Sequence, residues 1–446
     1  MTGDDFRAIA EELAAAIEDG RLRPGDRLPP LRRFARQRRI AASTAHRVYR
    51  ELARRGLTVG EVGRGTFVRT GPPPAEPALA EPGGHRVDLE LNLPILPDQP
   101  ARLAGSIADL LQHGDALAAA LRPPGAAGTP AARRTAAAHL ARTGWAPDPE
   151  RLLFAGSGRQ ALAAAFAALV PPGTRLGVEA LTFPVVKGIA ARLGIVLVPL
   201  AMDADGVTPA ALRAAGPLRA VYLQPALHNP LGTTMPATRR AELAAVLREL
   251  DLYAVEDAVY GFLRPDLAPL AALAPERTVL VDSLSKRLAP GLTLGFLVTP
   301  ERDAGPDLAA ALRSGGWTAS GFALAAALRW LSDGTATAIE EAKRADAAAR
   351  RRIAEDRLAG HRLRADPRSY HCWWELPEPW RADTFVAAAA RRGIAVSPSG
   401  AFTAGPGHAP NAVRLALSAP PADVLADALD VLAALARRSP EDAGAE

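Results

Sequence analysis

Lysine is almost missing from this chain. Of 53 basic residues only Lys187, Lys286 and Lys343 are lysines, so nearly every positive charge is written as arginine. A guanidinium stays charged and is a poor nucleophile, whereas a lysine amine can shed its proton and condense with an aldehyde. A surviving lysine is therefore worth asking about, with a plain surface charge as the alternative. Cysteine is scarcer still. Cys372 stands alone, which excludes an intramolecular disulfide and fits a reducing compartment. No uncharged apolar run approaches the ~18 residues of a membrane-crossing helix, and the opening Met1-Thr2-Gly3-Asp4-Asp5 is acidic where a signal peptide would be basic. The expectation is a soluble, cytoplasmic protein, and 446 residues leave room for two or three compact units.

What the chain does have is arginine at one end. Residues 1–70 hold 15 basic and 9 acidic side chains, and between Arg21 and Arg69 the balance is 14 against 3. Such a concentration is the electrostatic footprint of a polyanion-binding module, or else a solvated basic face. Phe6, Ile9, Leu13 and Ile17 recur at helical spacing. A second helix is expected from Pro29-Pro30 to about Gln37, and a third opens at Ser43 or Thr44 as cap, with Val48, Tyr49 and Leu52 turned inward. Leu57-Thr58-Val59 and Thr66-Phe67-Val68 flank a glycine-bounded turn, the pattern of a β-hairpin. Ser43, Thr44, His46, Arg47 and Arg50 then lie on the outer face of the third helix, with Arg32 and Arg33 ahead of it and Arg64 near the hairpin tip. These are the candidates for contact with the bases and phosphates of double-stranded DNA.

Residues 71–86, rich in Pro, Ala and Gly, read as a linker. Beyond it, helical stretches alternate with short β-branched runs: Leu152–Ala155, Arg175–Glu179, Ile195–Pro199, Ala220–Gln224, Leu252–Glu256, Thr278–Asp282 and Leu294–Val298. That alternation predicts an α/β unit with a helix-covered, mostly parallel seven-stranded sheet, whose ligands gather outside the carboxyl ends of the strands. At those ends stand Gly156-Ser157-Gly158-Arg159, Phe183, His228-Asn229-Pro230, Asp257 with Tyr260, and Ser283-Leu284-Ser285-Lys286.

Each of these residue types has a task if the ligand is pyridoxal 5'-phosphate. The helix start at Ser157, Gly158 and Arg159 offers N–H groups to a phosphate, with Ser283 and Ser285 nearby. Asp257 suits a protonated pyridine nitrogen, Asn229 and Tyr260 a ring oxygen, Phe183 the ring face, and the Lys286 amine the aldehyde. Singly, each also reads as core, turn or cap; the weight lies in their convergence. No metal is assigned.

Residues 5–69 resemble the winged helix-turn-helix of the GntR regulators, carried by Leu28-Pro29, Arg32, Tyr49, Leu52, Gly56-Leu57 and Gly63-Arg64-Gly65-Thr66-Phe67-Val68. Ala41-Ala42 replaces the family's usual Ser-Arg. Residues 87–446 resemble the fold-type-I aminotransferases, through Gly156–Leu162, Val178–Phe183, Asn229–Gly232, Glu256–Tyr260, Ser283–Lys286, Gly393–Pro398 and Val413–Leu417. The fused pair is the arrangement of the MocR subgroup.

The resemblance implies a PLP-dependent transferase fold, with a large subdomain over about 125–320 and a smaller C-terminal α+β subdomain over about 330–446. It also implies a head-to-tail homodimer, an effector carboxylate at Arg414, and regulation of transcription by an amino acid, an amine or the cofactor itself. A working aminotransferase with an accessory N-terminal domain, and a regulator whose second domain only dimerises, are the other readings. Two departures bear on them. Thr293 stands where the family places a phosphate-binding arginine, a loss that Arg159 is positioned to offset, and Leu121 stands near the place of a tyrosine that reaches the partner's phosphate.

Overall fold

The computed structural model describes residues 5–18, 21–22, 26–54, 57–61, 65–68, 86–112, 114–302, 304–405 and 409–440. The chain divides into two compact units, residues 1–78 and residues 79–405 with 409–446. The expected linker lies outside the described residues except for Arg86.

In the first unit, α1 (Asp5–Glu18), α2 (Leu31–Arg38) and α3 (Ala42–Arg54) precede an antiparallel pair, β1 (Thr58–Glu61) and β2 (Gly65–Val68). Ala10, Leu13, Phe34, Ala45, Val48 and Leu52 meet in one core, each large aliphatic side chain contributing about 1.5–3 kcal/mol by leaving water. Tyr49 donates its hydroxyl to the Pro29 carbonyl at 2.6 Å, and Arg38 forks onto Glu12 at 2.8 and 2.9 Å. The pair β1–β2 is tied back to the segment before α2, where Leu28 N–H donates to Thr66 O and Val68 N–H to Asp26 O, both at 2.8 Å. One expectation needs correction. The third helix begins at Ala42, and its first bond runs from Ala45 N–H to Ala41 O, so Ser43 and Thr44 sit inside the first turn and neither caps it.

The second unit opens with β3 (Val87–Leu89) and then builds its large sheet from β4 (Leu152–Ala155), β5 (Arg175–Glu179) and β6 (Val196–Leu200). A two-stranded hairpin comes next, β7 (Met202–Asp203) with β8 (Gly206–Val207). The large sheet resumes with β9 (Ala220–Leu223), β10 (Tyr253–Asp257), β11 (Thr278–Ser283) and β12 (Gly295–Val298). Its order is β4-β12-β11-β10-β9-β5-β6. Only β12 runs against its neighbours, so the sheet is mostly parallel, and all its strands but the edge strand β6 are buried. All seven strands read from the sequence are in it, with ends unchanged or moved by one residue. Asp257, for example, closes β10 instead of coming after it.

A five-stranded sheet completes the unit, from β13 (Arg362–Arg364), β14 (His371–Glu375), β15 (Ile394–Pro398) and β16 (Ala412–Ala416) in the order β13-β14-β16-β15-β3. The last of these is the unexpected member. Val87–Leu89, the first described strand after the linker region, pairs in parallel with Ile394–Val396.

The helix Thr335–Arg357 comes between β12 and β13 in chain order, and its Glu340 reaches a buried ion network. Arg287 binds Asp282 at 2.7 Å and Glu340 at 2.8 Å, and His139 Nε2 lies 2.8 Å from Glu340. Burial alone would push the Glu340 carboxyl up, but Arg287 and His139 outweigh it and hold it at about 2. Replacing Arg287 by Ala strands two buried carboxylates and is expected to cost about 3–5 kcal/mol in urea unfolding. Because the Glu340 carboxyl titrates lower folded than its ordinary 4.5, its stabilising share is present above pH 4.5 and lost as pH falls toward 2. The variant's stability loss, measured across that window, is expected to shrink as the pH drops.

Candidate functional site

The carboxyl ends of β10 and β11 and the start of helix Gly158–Leu169 face one cavity of about 640 Å³. Every residue proposed from the sequence for cofactor or effector lines it: Ser157, Gly158, Arg159, Phe183, Asn229, Asp257, Tyr260, Ser283, Ser285, Lys286 and Arg414.

One end of the cavity is built on two serine caps. Ser157 Oγ accepts from Gln160 N–H at 3.2 Å, and Ser283 Oγ accepts from Ser285 N–H at 3.1 Å, so each opens a helix into the cavity. The two openings are packed together. A Cβ on Gly158 would stand 3.0 Å from Ser283 Cβ, and one on Gly295 would stand 2.4 Å from Ser157 O. Thr293 is half-buried here and brings a hydroxyl without charge. Arg159, at the helix start, is the guanidinium on this side.

Asp257 forms the floor, almost wholly buried. Burial raises its carboxyl to about 6, although the Tyr222 hydroxyl, donating at 2.8 Å, and Val259 N–H, at 3.1 Å, draw it down. A buried carboxylate of this kind calls for a cationic N–H partner. Asn229 presents a buried Oδ1 with no partner, and Phe183 is half-buried at the wall. The Tyr260 phenol, raised to about 12 by burial, accepts from Asn92 Nδ2 at 3.1 Å and keeps its own proton to donate.

The Lys286 amine donates to the Asn92 carbonyl at 2.5 Å. Burial, then the charges of Arg414 and Arg159, bring it down to about 8, with Asp257 acting the other way, so more of it is unprotonated at neutral pH than of an exposed lysine. Arg414 spends one nitrogen, Nη2, on Glu90 O at 2.6 Å and Ser397 Oγ at 3.0 Å, and its guanidinium lies 5.2 Å from the Phe402 ring centre. Its Nε is buried without a partner. Leu121 lies on the surface, 75% exposed, and does not line this cavity.

Sequence reasoning missed Asn92, Tyr222 and His371. Asn92 is the hub of the site. Besides its bonds to Lys286 and Tyr260, it meets His371 Nδ1 at 3.3 Å and accepts from Ser418 Oγ at 3.3 Å. His371 is buried and held at about 3, hence neutral. Its Nε2 must carry the proton, since the partner 3.0 Å away is the His228 carbonyl, and Nδ1 accepts from Asn92. Tyr222 was legible only as a strand residue, and nothing local marked its hydroxyl.

The nucleic-acid candidates stand on the first unit. Arg32, Arg33, Ser43, His46, Arg47 and Arg50 are exposed and Thr44 is half-buried. Arg47 also lies over Phe6, 4.0 Å from the ring centre, which steadies its guanidinium at the surface. Arg64 lies outside the described residues.

Comparison with known proteins agrees with this division. Residues 6–68 match the gntR family of bacterial regulatory proteins, and residues 118–432 match aminotransferase class I and II. The HTH-type transcriptional regulator YdeF of Bacillus subtilis is 29% identical over 93% of this chain and 90% of its own. The pyridoxine biosynthesis regulator PdxR of Corynebacterium glutamicum is 28% identical over 66% and 65%, and the regulator TauR of Rhodobacter capsulatus is 28% identical over 66% and 67%. Among solved structures, an archaeal alanine:glyoxylate aminotransferase superposes with a TM-score of 0.71 at 23% identity, over 79% of this chain and 90% of that one. The α-aminoadipate aminotransferase of Thermus thermophilus gives 0.70 at 22%, over 79% and 92%, and both establish the fold. With a GntR winged helix in front and the greater part of its length matching the aminotransferases, the chain belongs to the class I and II aminotransferase family as a transcriptional regulator of the MocR type.

Proposed function

We propose that this DNA-binding regulator holds pyridoxal 5'-phosphate at Lys286 and senses an amino acid or amine through it. The observation that carries the reading is the meeting of the Lys286 amine, the buried Asp257 and two capped helix starts in one cavity. When bound, the cofactor supplies an aldehyde for amines and an electron-withdrawing ring. The chain's own part is positional. Ser157, Gly158, Ser283 and Ser285 take the phosphate, with Arg159 adding the charge that Thr293 lacks. Asp257 holds a proton between itself and the ring nitrogen, kept in place by Tyr222. Asn229 and Tyr260 would donate to the ring oxygen, Phe183 would line one side of the ring, and Arg414 would take an effector carboxylate.

On the other unit, Arg32, Arg33, Ser43, Thr44, His46, Arg47, Arg50 and Arg64 are the residues we assign to DNA, the third helix entering the major groove. We further propose a head-to-tail homodimer acting in the cytoplasm, with residues 71–86 as the linker. Ligand binding would alter the presentation of the two winged helices through its differential affinity for the two states. No helix among the described residues is long and apolar enough to cross a membrane. A working aminotransferase is the second reading, favoured by the intact set of Lys286, Asp257 and Arg414. Release of a keto acid from an amino acid by purified protein at a sustained rate would establish it.

The cofactor is tested by visible absorbance and borohydride trapping. Native protein is expected to yield one reduced adduct, at Lys286, and Lys286→Ala none. A native protein that stays colourless with excess pyridoxal phosphate would refute the reading. Arg159→Gln is expected to weaken pyridoxal phosphate about tenfold, the loss of one partly screened charge-assisted bond, while leaving phosphate-free pyridoxal unchanged in an equilibrium titration. Equal affinity for the phosphate form would remove Arg159 from the phosphate site.

For DNA, Arg50→Ala is expected to lower the slope of log affinity against log salt by about 1 if it meets a phosphate. A gel-shift series on the DNA beside its own gene, with unrelated DNA in parallel, measures that slope and the discrimination together.

A further inference from the structure

Lys343 is the most deeply buried of the three lysines, with no exposed surface, and it lies on the helix Thr335–Arg357 behind the cofactor lysine. Its ammonium donates to the Lys286 carbonyl at 3.0 Å and to the Leu288 carbonyl. Those oxygens belong to the end of the one-turn helix Leu284–Arg287, a place where carbonyls lack partners within the helix. The Lys343 main chain is in turn tied to the segment before β14 of the five-stranded sheet. Tyr370, one residue before β14, donates its hydroxyl to the Lys343 carbonyl at 2.9 Å and reaches Asp346 at 2.9 Å. A buried cation is costly to keep, and this one has neither a carboxylate within bonding distance nor a surface to reach.

We propose that Lys343 is a positioning residue for Lys286: it clamps the end of the Lys286 helix from behind and fixes the direction in which the cofactor amine enters the cavity. This rests on the reading of Lys286 as the cofactor lysine. The geometry carries it in three steps. Arg287 is anchored into Asp282 and Glu340, so the residue next to Lys286 in sequence is fixed on the side away from the cavity. Lys343 then holds the Lys286 main chain itself. The Lys286 side chain is left with one described acceptor, the Asn92 carbonyl. An arginine would bring a wider, planar head to a spot where two carbonyls converge, whereas an ammonium presents three donors in a compact tetrahedron.

The charges around the pair are these. Glu340 and Asp346 lie one turn to either side of Lys343 on its own helix, Glu340 taken by Arg287 and His139, and Asp346 by Arg350 and Tyr370. Lys286 itself faces Arg414, Arg159 and Asp257. Burial, with Lys286 adding repulsion, brings the Lys343 amine down to about 7 against the pull of Glu340 and Asp346, and in either protonation state it keeps at least two N–H donors for the two carbonyls.

With only three lysines, each amine can be followed separately by mass spectrometry after trace labelling of the full-length protein with acetic anhydride over a pH series. Lys343→Met removes the clamp. With its main chain released, the Lys286 amine leaves the buried position that chiefly depresses it, so its labelling midpoint is expected to rise by about half a pH unit, a loss of about threefold in free amine at pH 7. Lys343→Arg keeps the charge without the compact head and is expected to shift the midpoint in the same direction. Lys187→Met, which removes a lysine bonded to the Ala401 and Thr403 carbonyls, is expected to leave it unchanged. Should Lys343→Met fail to fold, Lys343→Gln is measured in the same way.

A Lys286 labelling curve that superimposes on the native one in Lys343→Met or Lys343→Gln, whatever happens to melting temperature, overturns the proposal. Borohydride trapping with pyridoxal phosphate is run on the same samples. Failure of the native protein to trap refutes the cofactor reading, while an unchanged labelling curve in a protein that traps normally refutes only the role of Lys343.

Discussion

The site depends on what lies behind Lys286. A four-residue helix is too short to fix its own orientation, since it closes barely one turn of hydrogen bonds. Here Ser283 caps its start, the guanidinium of Arg287 sits between two buried carboxylates, and Lys343 takes the carbonyls at its end. With the main chain held from three directions, Lys286 faces the cavity beside Ser285, its amine half-way to losing its proton at about pH 8. The buried ions are expensive in isolation and tolerable only as a set, which is why removing one member costs more than the bond it makes.

Parallel strands do the rest of the placing. β10 and β11 end side by side, so Asp257 and Ser283 are brought to one edge without any local signal between them. The helix start at Ser157 joins them because β4 enters the sheet at its far end and β12 runs antiparallel between β4 and β11, carrying Gly295 beneath the Ser157 carbonyl. A side chain at 295 would force the two helix starts apart. This edge of the cavity is thus as much a matter of what is missing from positions 158 and 295 as of the serines that cap the two helix starts.

Much of this was legible because strand ends announce themselves. Short β-branched runs ending in glycine, serine, aspartate or lysine marked the right edge of the sheet, and the candidates read from it line one cavity. The partners of those candidates were not legible. Asn92 lies in an irregular stretch after β3, and its four bonds reach residues 168 to 326 positions away. No periodicity encodes a contact of that separation. Tyr222 is one member of an apolar strand until β10 brings Asp257 to its hydroxyl. The placing of β3 beside β15 is of the same kind, a pairing between chain segments some three hundred residues apart. The caps failed for a smaller reason. Ser43 and Thr44 have the chemistry of a cap, but α3 starts at Ala42, ahead of both, and cap preference does not fix register.

The scarcity of lysine turns out to carry a more general meaning than reactivity. All three lysines donate to main-chain carbonyls from buried or half-buried positions: Lys187 to Ala401 and Thr403, Lys343 to Lys286 and Leu288, and Lys286 to Asn92. A compact ammonium can enter a cluster of carbonyls that a planar guanidinium cannot fill, so in a chain that otherwise writes its positive charge as arginine, lysine survives where shape demands it. That rule alone does not single out a cofactor lysine. What separates Lys286 from the other two is that its acceptor is exchangeable. Lys187 and Lys343 hold the fold together through pairs of carbonyls, while Lys286 has a single bond to one carbonyl at the wall of a cavity that also holds Asp257 and Arg414. An amine that condenses with an aldehyde loses hydrogens and cannot keep that bond on the same terms. The Asn92 carbonyl must then find another donor, and it lies three residues beyond β3, the first described strand after the region that joins the two units.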